Sequence, residues 1–199
     1  MPTDWEDHYQ RRDTPWEKGE PSPGLVDYLR EEPAPGRVLV PGCGFGHDVR
    51  AFAATADEVV GIDLARSAVA GARRFPNVGG ERYEVADLFA LPKALRGSFD
   101  GVWEHTCFCA IDREMRPAYV EAVAGALKPG GRLLAIFYLD PGDDGPDDRP
   151  PYGVSIAELD ALFGERFALL REWLPARAYP GREGREWMRI LKLRTRGEK

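Results

Sequence analysis

The stretch VLVPGCGFGHDV, from Val38 to Val49, decides how this chain folds. An apolar run and a proline lead into three glycines on alternate positions, Gly42, Gly44 and Gly46, and an acid follows them. This order predicts a short buried strand that passes through a bare backbone turn into a helix, because glycine allows the left-handed backbone that such a turn needs. A phosphate, a dinucleotide or a nucleoside without phosphate could each lie against the turn.

Strand-like and helix-like patterns alternate on both sides of this turn. The predicted strands are RVLVP, EVVGIDLA, RYEVADLF, SFDGVWEHT and RLLAIFYL, and the predicted helices are SPGLVDYLREE, DVRAFAATA, RSAVAGARRF, the segment from Arg116 to Leu127, and SIAELDALFG. The last apolar segments, FALLREWLPARAY and EWMRILKLR, alternate like two antiparallel strands. Strands that alternate with helices indicate βαβ units. We therefore expect an α/β fold with a Rossmann-like, mostly parallel sheet, a C-terminal antiparallel hairpin and helices on both faces.

Two helix starts and one long loop follow from local chemistry. Ser22 is a candidate N-cap, and Ser155 with Glu158 forms a capping box. The acidic, proline- and glycine-rich stretch from Asp140 to Gly153 has no periodicity, which indicates a loop. A loop of this length is either a disordered excursion or a lid over a site.

The composition is that of an ordinary globular protein. The chain has 199 residues, 43% of them hydrophobic and 30% charged, so we expect a single domain over residues 1–199. Its net charge of −6 disfavours nucleic acid, whose phosphates attract basic surfaces. No apolar run approaches the roughly 20 residues of a membrane span, and the polar start is unlike a signal peptide. We expect a cytoplasmic monomer that acts on a small-molecule substrate, without a nucleic-acid or membrane partner.

The three cysteines, Cys43, Cys107 and Cys109, predict neither a disulfide framework nor a metal site. An odd count, with two of them in an apolar CFC, indicates reduced thiols. No CxxC and no histidine pair accompanies them, so no metal is expected. Cys43 is interpreted as a small filler of the glycine turn, and Cys107 and Cys109 as thiols that face the core.

The residues after the glycines narrow the choice of ligand. A phosphate-binding P-loop ends in Gly-Lys-Ser/Thr, whereas Gly46 is followed by His47 and Asp48. The dinucleotide pattern GxGxxG needs a third glycine where His47 stands, which counts against a nicotinamide oxidoreductase without eliminating it.

Acids at two predicted strand ends favour a nucleoside. Asp63 closes the strand after the turn, about 20 residues on, and is placed to accept hydrogen bonds from a ribose diol. Asp87 closes the next strand and can accept from an exocyclic amine, while Leu88 and Phe89 flank a purine ring. A turn without basic residues, a ribose acid and a purine pocket together fit S-adenosyl-L-methionine, which carries no phosphate.

Longer motifs resemble a known family. The pattern W-x3-Y-x6-W, formed by Trp5, Tyr9 and Trp16, is joined by LVPGCGFGHD, WEHTCFCAI with Arg116 and Tyr119 downstream, and LKPGG. Together they resemble the class I S-adenosylmethionine-dependent methyltransferases, and among these the thiopurine methyltransferase-like family with its halide/thiol methyltransferases. The resemblance implies the class I methyltransferase fold, with residues 1–22 as an N-terminal arm that closes over the cofactor.

The resemblance also implies roles for single residues. It places the arm's aromatic side chains over the cofactor, and Glu104 and His105 at its methionine end. Two departures are Tyr9, where relatives often have tryptophan, and His105, where relatives have tyrosine or arginine. With the strand-end acids, the expected cofactor-binding residues are Trp5, Tyr9, Trp16, Gly42, Cys43, Gly44, Asp63, Leu64, Asp87, Leu88, Glu104 and His105.

Several of these residues have a purely structural alternative. Trp5 and Trp16 could attach the arm to the core, and strand-end acids often cap helices. Arg116 could be a surface residue at a helix start, although the resemblance implies a place beside the substrate. His8 and His47 are interpreted as incidental.

The expected reaction is methyl transfer to a small, soft nucleophile: a thiol, sulfide, thiopurine or halide. The sequence contains no Ser-His-Asp or Cys-His set, and the catalytic candidates His105, Arg116 and Tyr119 do not form a dedicated base. A thiol with a pKa of about 8.5 is already partly ionised near neutral pH. Methylation of tellurite or selenium oxyanions and non-catalytic binding of S-adenosylmethionine remain alternatives. A [DN]PP[YF] motif, typical of nucleobase amine methylation, does not follow the fourth strand.

Overall fold

The computed structural model describes residues 3–139 and 150–195. Its strands are β1 (Arg37–Pro41), β2 (Glu58–Asp63), β3 (Glu81–Val85), β4 (Phe99–His105), β5 (Leu127–Tyr138), β6 (Phe167–Trp173) and β7 (Glu186–Leu193). Its helices are α1 (Trp5–Arg11), α2 (Pro23–Glu31), α3 (His47–Ala53), α4 (Arg66–Ala72), α5 (Arg116–Ala126) and α6 (Ile156–Phe163). Short 3-10 turns lie at Leu88–Ala90, Lys93–Leu95, Phe108–Ala110 and Arg113–Met115.

The seven strands form one sheet in the order β3-β2-β1-β4-β5-β7-β6. Strands β1 to β5 run parallel, while β7 lies antiparallel to both β5 and β6. The expected parallel sheet with a C-terminal hairpin is therefore confirmed. Strand β5 begins before the KPGG turn, earlier than expected, because Leu127 pairs with Phe99 before the register shifts to Gly101 and Arg132.

Helices cover both faces of the sheet, and each face has its own apolar core. On one face, α5 and α6 bury side chains such as Tyr119 and Phe163 against the sheet. On the other face, α2, α3 and α4 contribute Leu25, Phe52 and Val69. Complete burial of a large apolar side chain stabilises the fold by about 1.5–3 kcal/mol. The two apolar layers therefore hold the sheet in place, and with it the strand ends that carry the site.

Helix α1 lies within the arm of residues 1–22, for which no helix was predicted. None of its residues is buried. Polar contacts stabilise it instead: Asp4 Oδ1 accepts from Asp7 N at 3.1 Å as an N-cap, and Arg11 pairs with Asp7 at 2.9 Å.

The two expected helix caps behave differently. Ser22 stands at an N-cap position, but its side chain makes no capping hydrogen bond; its backbone N donates to Asp48 Oδ1 at 2.7 Å instead. Ser155 does cap α6, since its Oγ accepts from Glu158 N at 3.1 Å. Glu158 does not complete the capping box, because its carboxylate pairs with Arg116.

The parallel arrangement brings the carboxyl ends of β1 to β5 to one edge of the sheet. The chain order of the strands reverses between β1 and β4, and ligands of open α/β sheets bind in the crevice at such a point. Within residues 3–139 and 150–195, no helix combines the length and the apolar character needed to cross a bilayer.

Candidate functional site

A cavity of about 540 Å³ lies at the carboxyl ends of the parallel strands, beneath the N-terminal arm. This volume is usual for a small-molecule site. The expected site residues that line it are Trp5, Tyr9, Trp16, Gly42, Cys43, Gly44, Asp63, Leu64, Asp87, Leu88 and His105. Glu104, Arg116 and Tyr119 are not among the described residues that line it.

The glycine turn forms a bare floor of this cavity. Gly42, Gly44 and Gly46 all have a left-handed backbone, with φ of +59°, +52° and +74°. A Cβ on Gly46 would lie 2.4 Å from the ring of Tyr83, and a Cβ on Gly42 would lie 3.1 Å from Cys107 Cβ. Both backbone strain and lack of space therefore require glycine here.

Asp63 ends β2 as predicted, whereas β3 ends at Val85, so Asp87 lies two residues beyond the strand that it was expected to close and caps the 3-10 turn that follows. Both acids hold backbone groups and keep further acceptor capacity. Asp63 accepts from Gly44 N through Oδ2 and from Ala65 N through Oδ1, both at 2.9 Å. Burial raises the pKa of Asp63, and these backbone hydrogen bonds oppose the rise. Asp87 accepts from Phe89 N at 2.8 Å through Oδ1. Since each carboxylate oxygen has two lone pairs, both acids can accept hydrogen bonds from a bound nucleoside as well.

Aromatic side chains of the arm gather above the glycine turn. The ring centroids of Trp5 and Trp16 lie 5.3 Å apart, edge to face. Trp16 Nε1 donates to the Tyr9 hydroxyl at 3.2 Å, and the Tyr9 ring contacts Phe45 of the turn at 5.3 Å. This cluster presents aromatic surface to the cavity, which attracts a cation.

Two polar contacts attach the arm to the rest of the protein. Glu6 accepts from the Ser67 hydroxyl at 2.6 Å and from Ser67 N at 3.0 Å, and these hydrogen bonds lower the pKa of Glu6 to about 2. Ala65, the N-cap residue of α4, has no side-chain acceptor, so the Glu6 carboxylate supplies the acceptor at the start of this helix instead. Glu17 pairs with His47 Nε2 at 2.9 Å. His47, the first residue of α3, which was interpreted as incidental, is therefore a contact of the arm.

His105 ends β4 between two carboxylates. Its Nδ1 lies 3.0 Å from Asp48 Oδ2, and its Nε2 lies 3.7 Å from Glu186 Oε1, beyond hydrogen-bond range. Burial alone lowers the pKa of His105, but the interactions with Asp48 and Glu186 outweigh it and raise the pKa to about 9. Trp103 Nε1 also donates to Asp48 Oδ2, at 2.8 Å, and so fixes that carboxylate. The imidazole is therefore held as a cation at neutral pH.

Glu104 lies on the opposite side of β4 from His105. Its carboxylate accepts from Cys107 N at 3.1 Å, from Phe108 N at 2.8 Å and from the hydroxyl of Tyr119. Burial raises the pKa of Glu104 to about 7, against the effect of these hydrogen bonds. Glu104 and Tyr119 thus fix the turn after β4 from behind, and that turn lines the cavity.

The thiols face the cavity rather than only the core. Cys43, Cys107 and Cys109 all line it. Burial raises the pKa of each thiol, to about 12 for Cys109 and well above the ordinary value for the other two. All three remain protonated at neutral pH, so they provide soft, uncharged surface and not nucleophiles.

Several lining residues were not predicted as site residues. Tyr179 ends the predicted strand FALLREWLPARAY, but β6 stops at Trp173, and Tyr179 lies in the connection that follows. Tyr179 and Arg182, between β6 and β7, line the cavity, and Tyr179 stacks on the His105 ring at 5.9 Å. Pro150 and Pro151 also line it. They belong to the loop expected over 140–153, of which residues 140–149 lie outside the described part of the chain.

These residues fit S-adenosylmethionine better than a phosphate ligand. Asp48, the second residue of α3, places a carboxylate in the first turn of this helix, and its negative charge disfavours a phosphate there. A nucleoside fits the bare glycine floor and the acceptor oxygens of Asp63 and Asp87. A sulfonium fits the aromatic cluster. A pyrophosphate has no such partner set at the turn, which also disfavours a nicotinamide dinucleotide.

Comparison with known proteins agrees with this chemistry. The family model described as Thiopurine S-methyltransferase (TPMT) matches residues 1–173. Thiocyanate methyltransferase 1 of Arabidopsis thaliana is 34% identical, over 94% of this chain and 84% of that protein. Thiopurine S-methyltransferase of Legionella pneumophila (strain Corby) is 32% identical, over 71% of each chain.

Solved structures share the fold at lower identity. A protein studied for the conversion of a disulfide bond into a thioacetal group during echinomycin biosynthesis has a TM-score of 0.77 at 23% identity, covering 96% of this chain and 91% of its own. The 1,6-didemethyltoxoflavin-N1-methyltransferase of Burkholderia thailandensis, solved with S-adenosylhomocysteine, has a TM-score of 0.74 at 19% identity, covering 96% and 86%. The class I methyltransferase fold is thereby confirmed.

Proposed function

Since the chain belongs to the thiopurine S-methyltransferase family, we propose that it methylates a small, soft nucleophile: a thiol, sulfide, thiopurine or halide. The chain is an S-adenosylmethionine-dependent methyltransferase, and the acceptor is the new element of the proposal. Residues 1–199 act as one domain, in which residues 1–22 close over the cofactor.

Each end of the cofactor has its own set of side chains. Asp63 accepts from the ribose hydroxyls, and Asp87 accepts from the adenine amine while Leu88 packs on the ring. The backbone of the glycine turn, from Gly42 to Gly44, contacts the methionine part. The aromatic rings of the arm cover the sulfonium, an interaction of about 0.5–2 kcal/mol.

The chain's residues contribute alignment and exclusion of water. When bound, S-adenosylmethionine supplies a methyl group on a cationic sulfur that leaves as a neutral thioether. Glu6 and Glu17 hold the arm closed through Ser67 and His47, so that the acceptor and the methyl donor meet away from solvent. Alignment of two reactants in this way is a large source of rate acceleration.

The observation that carries the acceptor class is the charge state of His105. With Asp48 and Glu186 on either side, the pKa of His105 is raised to about 9, so the imidazole cannot accept a proton from the acceptor at neutral pH. Arg182 pairs with Glu186 at 3.4 Å, so the two cations at this end are balanced by the carboxylates of Asp48 and Glu186. An acceptor that arrives ionised, such as a thiolate or a halide, needs no base.

The relatives support the same class. Their names include thiol, thiocyanate and thiopurine methyltransferases. The described residues offer nothing that favours tellurite or selenium oxyanions over these acceptors. The protonated, uncharged thiols of Cys107 and Cys109 beside the cavity are compatible with a polarisable acceptor.

An assay of S-adenosylhomocysteine release tests the proposal. The acceptor panel consists of two small thiols, sulfide, iodide, a thiopurine, selenite and tellurite, with Asp63→Ala as the variant in which cofactor binding should be weaker. We expect turnover with at least one sulfur or halide acceptor. Turnover confined to selenite or tellurite would refute the acceptor class, and tight binding of S-adenosylhomocysteine without turnover of any acceptor would indicate a non-catalytic protein.

A further inference from the structure

Arg116 is a buried cation that lies outside the cavity. It starts α5 and is 1% exposed, so it is not the surface residue that its place at a helix start suggested. Its Nη1 pairs with Glu158 at 2.6 Å. Its Nη2 donates to two successive carbonyls, Tyr152 O at 3.1 Å and Gly153 O at 3.0 Å. Its guanidinium also lies over the Phe108 ring, 4.8 Å from the centroid.

The segment that Arg116 holds continues into the cavity wall. Pro150 and Pro151, just before the two bonded carbonyls, line the cavity. From the other side, Tyr152 N donates to Cys109 O at 2.7 Å, in the turn that follows β4. Residues 150–153 are therefore fixed between Arg116 and the turn beside His105, and they are named the proline wall below.

Burial of this guanidinium is not explained by stability alone. Removing a charge from water is costly, and a buried ion pair is often no more stabilising than an apolar group of similar size. What an apolar side chain cannot provide is a rigid planar donor that bonds two consecutive carbonyls. Glu158, on the first turn of α6, only neutralises the charge, since its own side chain remains 40% exposed.

We propose that Arg116 is a positioning residue for the acceptor: by bonding Tyr152 O and Gly153 O it fixes the proline wall against the turn after β4. The inference rests on the proposed function, because it assigns the wall to the acceptor end, where His105 ends β4 just before the same turn. Arg116 touches neither reactant. Its loss should therefore change how the acceptor binds while leaving the cofactor end unchanged.

Arg116→Lys tests this directly, with Arg189→Lys as the matched control. Lysine keeps the charge and loses the planar fork. Arg189 is equally buried, at 1% exposed, and pairs with Asp160 and Glu172, yet it is not among the described residues that line the cavity. Arg116→Lys should raise the acceptor KM by about tenfold, as expected for lost hydrogen bonds to a charged group. Its Kd for S-adenosylhomocysteine should stay within about twofold of wild type. Arg189→Lys should lower Tm without either change.

A second readout does not depend on turnover. Without cofactor or acceptor, hydrogen exchange at the Tyr152 amide should be faster in Arg116→Lys than in wild type and unchanged in Arg189→Lys. Pro151→Gly loosens the wall without touching Arg116. It should reproduce the rise in acceptor KM even if Arg116→Lys does not fold.

Three results would overturn the inference. They are unchanged Tyr152 exchange in folded Arg116→Lys, faster exchange with an unchanged acceptor KM, and a rise in KM that Arg189→Lys shares. If the wild type turns over no acceptor, the proposed function fails, while the exchange comparison still decides whether Arg116 fixes the wall.

Discussion

Replacing Asp48 by asparagine should lower the pKa of His105 from its wild-type value of about 9. Burial already lowers this pKa, and the contacts with Asp48 and Glu186 raise it. The Asp48 contact is the shorter of the two, at 3.0 Å against 3.7 Å. Asparagine keeps an oxygen that can accept from Trp103, so the substitution removes the charge with little change of shape.

The magnitude follows from the two pKa values. The difference between 6.5 and about 9 corresponds to about 3 kcal/mol in favour of protonated His105 in the folded protein. Because the folded pKa is raised, this stabilisation is fully present below pH 6.5 and is lost as the pH rises through about 9. In a protein of this size, about 3 kcal/mol corresponds to a Tm difference of about 6–12 °C.

Two measurements check this prediction. NMR titration of the His105 ring should give the raised pKa in wild type and a much lower value in Asp48→Asn. Thermal unfolding from neutral to alkaline pH should show a falling wild-type Tm and a flatter profile for Asp48→Asn. Asp27→Asn is the control, because Asp27 pairs with Arg177 at the surface and should keep the wild-type slope. The reasoning is refuted if wild-type His105 titrates near 6.5, or if Asp48→Asn leaves it near 9.

Three further predictions concern the cofactor, the arm and the acceptor. Asp63→Ala should weaken S-adenosylhomocysteine binding by about 1–3 kcal/mol, because buried hydroxyls lose a charged acceptor; an unchanged calorimetric Kd in a folded variant would assign the ribose to another residue. Proteolysis after Arg11 or Arg12 should slow when S-adenosylhomocysteine is added, and equal cleavage would reduce the arm's aromatic cluster to a structural role. With two thiols of different pKa, the rate should follow each thiol's own ionised fraction, and iodide should show little pH dependence. A common inflection near neutral pH that disappears in His105→Ala would instead identify His105 as a general base.

The sheet and the floor of the site were predictable because their signals are local. A buried strand, a glycine turn and a helix follow one another between Val38 and Val49, Asp63 ends β2, and Asp87 follows the end of β3 by two residues. Once the strands are parallel, their carboxyl ends must meet at one edge. The glycine turn and both acids therefore had to share one cavity, whatever the distant parts of the chain did.

The sequence indicated only in part which side chains at the end of β4 line the cavity. Successive side chains of a strand point to opposite faces, so adjacent Glu104 and His105 point to different sides of the sheet. His105 lines it, whereas Glu104 bonds Tyr119 behind it. The family motif names both residues together and does not distinguish these roles. The alternation along β4 would have separated them.

Only the tertiary structure decided which charged side chains meet at the site and which residues attach the arm. His105 meets Asp48 across 57 residues of sequence, and Glu6 reaches Ser67 across 61. Arg116 bonds carbonyls in a loop that has no pattern of its own. Such pairings depend on which elements the sheet order brings together, and a charged side chain in the sequence is compatible with many partners or with solvent. Local periodicity therefore determined the frame, while long-range contacts between buried polar groups determined the chemistry within it.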